Sequence, residues 1–290
     1  MSVLDFIREK DVANALSYAG DQFTREKDHH WYDPRWNKRL QRFRQIIEKG
    51  ETDLARVIAL ATVGLEKEPF AEHASYAWLG KVCMDNPVTM GGQRAALHRT
   101  LLLSAMTPET DAVVELGSGD GLNLFNLWMA GAPAKARYHA LEITAIGRLC
   151  TELLGQLVPR MKVSAHPYDY FKPNYDEIPG GAKHMMVFSS GSIEQCDQLP
   201  EQVITGLLDK AETITGVHTE PVSWQMPNDA DPHYVETHHQ RCIEFGFNQN
   251  FWPLMQDLEK RGLLEITSTM PHIFGRAKHP YALITWRKKV

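Results

Sequence analysis

Between Val113 and Phe125 the chain reads VVELGSGDGLNLF: an apolar run, glycines at alternate positions 117, 119 and 121, and a second apolar run directly after the last glycine. Glycine tolerates positive φ and has no Cβ. A turn this rich in it joins a buried strand to a helix and brings backbone N–H groups and the helix N-terminus up to a negatively charged group. It is a binding device, and it requires an α/β setting. The dinucleotide spacing G-x-G-x-x-G is not met, because Leu122 stands where that pattern has its third glycine, which argues against NAD.

The rest of the chain after Thr110 keeps the rhythm that such a turn implies, short apolar runs alternating with helical segments. Strands are predicted at Ala112–Leu116, Tyr138–Glu142, Lys162–Ala165, His184–Ser189, Glu212–His218, Leu264–Met270 and Tyr281–Arg287. Helices are predicted near Leu122–Ala130, Thr144–Leu157, Leu199–Lys210, Asp231–Phe245 and Trp252–Arg261. The last two strands leave no room for a helix between them and should form an antiparallel hairpin. The expected fold is α/β, a seven-stranded doubly wound sheet, mostly parallel, with an antiparallel last strand.

Up to about Met106 the pattern is helical and strand-like runs are missing. Ser2 with Asp5 resembles a capping box for a helix ending at Gly20. Pro34–Ile47 carries Trp36, Leu40, Phe43 and Ile47 at helical spacing, with Arg35, Lys38, Arg39, Arg42 and Arg44 on the outer face, and Thr52 caps a helix through Leu65. GGQRAALHRTLLLSAM is a fourth helix leading to the glycine turn. The expected organisation is a helical cap over residues 1–106 and a ligand-binding domain over 107–290.

At 290 residues and 43% hydrophobic content there is ample material for a core, and a net charge of −5 gives no sign of a polyanion binder. Cys83, Cys150, Cys196 and Cys242 lie far apart, without the close pairs of a zinc site or a disulfide scaffold, which suits a reducing cytoplasm. The N-terminal residues lack the apolar core of a signal peptide, and no stretch is apolar enough to span a bilayer. A soluble cytoplasmic protein is expected, with nucleic acid not its default partner; its oligomeric state is open.

Glu142 closes the second predicted strand, where an acid can accept hydrogen bonds from both ribose hydroxyls. VVELGSGDG resembles motif I of the class I S-adenosylmethionine-dependent methyltransferases, YHALEI their second motif, and HPYDYF the segment whose acid meets the adenine amine. The resemblance covers Ala112–Val290 and extends to the final antiparallel strand, which in that family inserts between the fifth and sixth. It implies S-adenosyl-L-methionine as cofactor and S-adenosyl-L-homocysteine as product. It also implies roles: Glu115 supporting the turn and the methionine amino group; Gly117, Ser118, Gly119 and Gly121 around the amino-acid end; Glu142 on the ribose; Asp169 on adenine N6. Tyr168 or Tyr170 would lie against the ring and Ser189 beside the methionine moiety.

Methyl transfer from a sulfonium needs an aligned nucleophile, exclusion of water and an acceptor for any released proton. Two stretches offer such groups. In SSGSIEQC, Glu194 is either a carboxylate for the methyl acceptor or a first-turn acid at a helix start. In GVHTEPVSW, His218 and Glu220 are two apart and form either an acid/base pair or a strand-end histidine and a loop charge. A metal cluster of His218, Glu220, His238, His239 and Cys242 is a minority reading, because His238 and His239 point in different directions. The basic helix with Trp31 and Tyr32 reads as the lid of an acceptor pocket rather than an RNA-binding arm. A methyltransferase acting on oxygen or nitrogen of a small molecule is thus expected; protein or RNA methylation, or a non-catalytic binding module, is the alternative.

Overall fold

A computed structural model describes residues 29–62, 74–227 and 229–289. The fold is α/β with a mixed sheet of nine strands among these residues. Helices α1 (His29–Glu48) and α2 (Leu54–Thr62) come first. The cap of α2 is Asp53, not Thr52: its carboxylate accepts from Arg56 N–H at 2.9 Å. The helix predicted over Ser2–Gly20 lies outside the described residues.

Strands β1 (Ala74–Trp78) and β2 (Lys81–Asp85) correct the expectation that the first third holds no strand and raise seven strands to nine. They pair antiparallel through a two-residue loop, Leu79–Gly80, whose φ values of 49° and 79° are the positive pair that a tight hairpin requires. Leucine in that position is not a turn signal, so the hairpin is invisible to residue preference. Ile273 and His272 carbonyls accept the Leu79 and Gly80 N–H groups and hold the turn in place. Helix α3 (Pro87–Ser104) follows, capped by the Asn86 side chain with Pro87 at its first position.

From there the predicted alternation holds, with β3 (Thr110–Leu116), α4 (Leu122–Met129), β4 (Arg137–Glu142), α5 (Ala145–Leu157), β5 (Lys162–Pro167), β6 (Ala182–Ser190), the short α6 (Gln202–Thr205), β7 (Ala211–Glu220), α7 (Pro232–Glu244), α8 (Phe251–Lys260), β8 (Leu264–Arg276) and β9 (His279–Lys288). The helix predicted over Leu199–Lys210 breaks at Gly206 into α6 and a 3-10 turn at Leu208–Lys210; an added Cβ at Gly206 would come 2.8 Å from the Gln202 carbonyl oxygen and 2.9 Å from the Tyr175 ring.

The chain divides into two compact units. The first holds the described residues up to 62 with Val113–Asp169. Its strands run β3, β4, β5, the last two parallel in the register Glu142↔Pro167. Apolar Ile146, Leu149, Cys150, Leu153 and Leu154 of α5 are buried, as are Leu40, Phe43 and Ile47 of α1. The second holds residues 74 to 112 and Tyr170 onwards, with strand order β2, β1, β8, β9, β7, β6. Here β6 and β7 are parallel, and β9 inserts between β7 and β8, antiparallel to both, as the resemblance implied. No helix of the described residues is long and apolar enough to cross a membrane.

Gly216 on β7 lies opposite Trp286 on β9, where a Cβ would overlap the fully buried indole. Gly216→Ala should therefore destabilise the protein by about 1–3 kcal/mol through overpacking, measured by denaturant unfolding with tryptophan fluorescence as readout.

Candidate functional site

In the first unit, β3 ends in a turn where Gly117, Gly119 and Gly121 have φ of 66°, 57° and 75°, a run open to glycine and strained for other residues. Gly121 caps α4 in the left-handed conformation, and Thr151 fills the space where its Cβ would be. Glu142, at the end of β4, is 5% exposed, and its carboxylate accepts from Gly119 N–H at 2.8 Å, Thr144 N–H at 2.9 Å and the Thr144 hydroxyl at 2.8 Å. Ser118 N–H donates to the Leu141 carbonyl. The turn is thus tied to the end of the neighbouring strand at two points.

Glu115 lies beneath the turn, 1% exposed. Oε1 accepts from Asn123 Nδ2 at 2.7 Å, and Oε2 is buried without a partner. Burial first, then the nearby Asp120 and Glu142, push its carboxyl well above the ordinary carboxylate range, although Asn123 pulls the other way. Burial also raises Glu142, opposed by the bonds from Thr144 and Gly119. The Ser118 hydroxyl is buried and unpartnered too. Three acids therefore surround one turn, together with polar atoms that lack donors or acceptors.

Helix α1 seats on this turn. An added Cβ at Gly119 would come 2.6 Å from Trp36 Cζ2, and Arg39 Nε pairs with Asp120 at 3.1 Å. Arg39 therefore does not sit on a wet outer face as its helical position suggested, while Lys38 and Arg42 do. Asp120 was legible as a charge within the glycine motif, but its partner lies 81 positions away (120 − 39) and only the packing of α1 reveals it. The side chains of Trp31 and Tyr32 lie outside the description. Asp169 closes this unit as a half-buried loop residue after β5, and buried Tyr168 donates its N–H to the Glu142 carbonyl at 3.3 Å.

The remaining candidates, Tyr170, Ser189, Glu194, His218 and Glu220, gather in the second unit. His218 is fully buried, and its Nε2 accepts from Trp286 Nε1 at 2.9 Å. Nδ1 then carries the proton, donating to the Ser189 hydroxyl at 2.9 Å, and Ser189 passes its own hydrogen to Glu220. Burial pushes the imidazole down to about 3 and keeps it neutral. His218 has no free nitrogen.

Glu220, also fully buried, accepts from Ser192 N–H at 3.0 Å and Glu194 N–H at 3.3 Å, clamping the 3-10 turn Ile193–Gln195. The Tyr170 hydroxyl meets Ser192 Oγ at 2.7 Å and joins this network. Glu194 is 7% exposed; its Oε2 meets His279 Nε2 at 2.7 Å, and Oε1 accepts from Gln195 Nε2 at 3.0 Å. His279 opens the last strand after the lysine of AKHPYAL, and nothing in its local pattern connects it with Glu194, 85 residues earlier. Among the described residues no group of three metal-ligating side chains converges.

No family model and no curated protein matches the sequence. Among solved structures, the chain is similar to a geranyl diphosphate C-methyltransferase from Streptomyces coelicolor A3(2), at 8% identity over 77% of this chain and 94% of the other, TM-score 0.49. It is also similar to a possible exported protein from Bordetella parapertussis, at 14% identity over 88% and 96%, TM-score 0.46. A third is a ribosomal protein L11 methylase from Lactobacillus delbrueckii subsp. bulgaricus, at 11% identity over 68% and 79%, TM-score 0.41.

Burial above all, with Glu194 adding to it, raises Glu220 from its ordinary 4.5 to about 8, against the opposing hydrogen bonds. Below 4.5 both folded and unfolded chains hold this proton; between there and about 8 only the folded chain does, so stability falls as pH rises through that window. Glu220→Gln should lack this slope. Its melting temperature relative to wild type should rise across the window, as parallel melts at stepped pH will show.

Proposed function

We propose that the chain binds S-adenosyl-L-methionine at the glycine turn of the first unit and transfers its methyl group to an oxygen or nitrogen of a small molecule, releasing S-adenosyl-L-homocysteine. The observation that carries this reading is the acid-rich turn: Glu115 Oε2, buried and lacking a donor, beneath a glycine turn whose neighbouring strand ends in Glu142. A ligand with an ammonium and a sulfonium at one end fits a turn where the acids Glu115, Asp120 and Glu142 outnumber the cations Arg39 and Arg148. The bound cofactor would supply an electrophilic methyl group.

In this reading Glu115 accepts the ammonium, Gly117, Ser118, Gly119 and Gly121 line the amino-acid end, and Glu142 offers its remaining lone pair to the ribose. Asp169 stands for the adenine amine. Helix α1, with Trp36 against Gly119 and Arg39 on Asp120, is the cover of this site. A small-molecule acceptor is favoured over nucleic acid because α1 spends two of its arginines internally, Arg39 on Asp120 and Arg44 on Glu48 at 3.7 Å. Tyr170, Ser189, His218 and Glu220 act as the brace that positions Glu194, which faces the acceptor.

Equilibrium dialysis with labelled S-adenosyl-L-methionine, followed by a methyl-transfer screen of hydroxyl and amine metabolites, tests the reading; absence of saturable binding overturns it. Glu142→Ala should weaken the cofactor and its demethylated product alike by at least about tenfold, since a charge-assisted hydrogen bond contributes roughly 1.5–3 kcal/mol and both ligands carry the same ribose. Glu115 supplies an independent check. Because burial raises its carboxyl well above the ordinary range, pairing with an ammonium favours its ionised form, so the calorimetric binding enthalpy should depend more on the buffer's ionisation enthalpy in wild type than in Glu115→Gln.

A further inference from the structure

Around Glu194 and His279 the second unit collects buried polar atoms that the network just described leaves unused. His279 Nε2 is held by Glu194, and its Nδ1 is buried without a partner. His238, 1% exposed, has nothing for its ring nitrogens beyond the nearby Pro221 carbonyl. His272 Nε2 and the Tyr234 hydroxyl are likewise buried and unpartnered. These side chains are neighbours: His238 and His279 rings lie 6.0 Å apart, Tyr234 and His272 rings 5.2 Å apart, and His272 and His279 both act on the charge of His238. Buried polar groups are almost always paired, so several unpaired in one place mark a site that a ligand completes.

The backbone carries the same mark. His272 has φ of 54°, left-handed for a residue with a side chain, at the irregularity where β8 slips against β9 between Met270 and Phe274. Its N–H is fixed by the Ser223 hydroxyl at 3.0 Å, so the strained geometry is locked and the ring is held inward, 4% exposed.

We infer that His238, His272 and Tyr234 seat the methyl acceptor, a planar compound bearing a hydroxyl group, and that His279, oriented by Glu194, accepts its proton; this rests on the methyltransferase reading. The carboxylate accepts from Nε2–H, which leaves the lone pair on Nδ1 and gives the resulting imidazolium an anionic partner. His279 Nδ1 takes the hydroxyl proton, and the electron pair of the broken O–H bond stays on the oxygen. Proton and charge then balance as an oxyanion on the bound compound and an imidazolium paired with Glu194.

The class of acceptor follows from the walls. Phe247 and Tyr281 rings lie 5.2 and 5.9 Å from His279, so the surroundings are flat and aromatic. Burial first, then His279 and His272, keep His238 neutral down to about 3, and burial lowers His272 as well. The nearby cation, Arg241, stacks 4.6 Å over Phe245. Neutral imidazoles donate and accept hydrogen bonds, which suits a neutral hydroxyl group better than a carboxylate or phosphate.

The test uses 4-nitrophenol, whose phenolate absorbs visible light, titrated with the full chain in buffer on the acid side of the phenol's own midpoint. Wild type should generate phenolate saturably as the probe binds. His279→Gln should lower that signal about tenfold or more, in line with removal of a positioned base. Glu194→Gln, which keeps His279 but removes its anionic partner, should lower it several-fold, with circular dichroism confirming the fold of both. Tyr234→Phe should weaken probe binding with the ionised fraction of bound probe unchanged. No saturable phenolate in wild type, or a full signal in folded His279→Gln, overturns the inference. Dialysis of the same preparations with S-adenosyl-L-methionine separates the two claims: cofactor bound without phenolate sinks this inference alone, and phenolate without cofactor binding sinks the methyltransferase reading.

Discussion

The Glu142 carboxylate holds the first unit's ligand-facing surface together. A buried acid is costly unless hydrogen-bonded, and this one offsets its desolvation with three donors from two separate segments, Gly119 on the turn and Thr144 at the cap of α5. One side chain thereby couples the end of β4, the glycine turn and the start of the next helix. Thr144 then spends its hydroxyl twice, donating to Glu142 and accepting from Gly147 N–H at 3.1 Å. Gly147 must be glycine for the same reason, since a Cβ there would press within 2.8 Å of Glu142 Cγ.

The second unit repeats the device with a different purpose. Glu220 gathers N–H groups from the turn after β6, and Trp286, His218 and Ser189 pass hydrogens toward it in one direction. The direction matters because the indole can only donate, so the tautomer of His218 is settled by its neighbour rather than by solvent. The product of this chain is a rigid 3-10 turn that presents Glu194 to His279. Two acidic side chains with different work stand close together, one consumed by backbone and one turned toward a histidine.

That distinction was only partly readable beforehand. His218 and Glu220 share a strand face, as their spacing of two required, yet sharing a face does not make an acid/base pair when each already has partners in the core. The Glu194 carboxylate is legible in its own stretch, but its partner His279 sits at the opening of the last strand, brought near by β9 inserting between β7 and β8. The β1–β2 hairpin is not legible in the sequence because its loop uses leucine at positive φ and is held by carbonyls of residues 272 and 273. Short strands of that kind are stabilised by the neighbour they join, here β8, and not by their own composition.

Local chemistry determined a good deal: the strand–glycine turn–helix, the acid closing the next strand, the alternation of short apolar runs with amphipathic helices, and the terminal hairpin. Each depends on contacts within a few residues or on the 2.0 and 3.6 periodicities, which a linear sequence displays directly. Tertiary structure alone decided which polar groups are spent and which are free. Arg39 became a partner of Asp120, His218 a neutral core residue, and His238, His272 and His279 a cluster, because hydrogen-bond satisfaction and burial are set by residues many tens of positions apart. A side chain's chemistry is written at its own position, but its availability is fixed by whatever the fold packs against it.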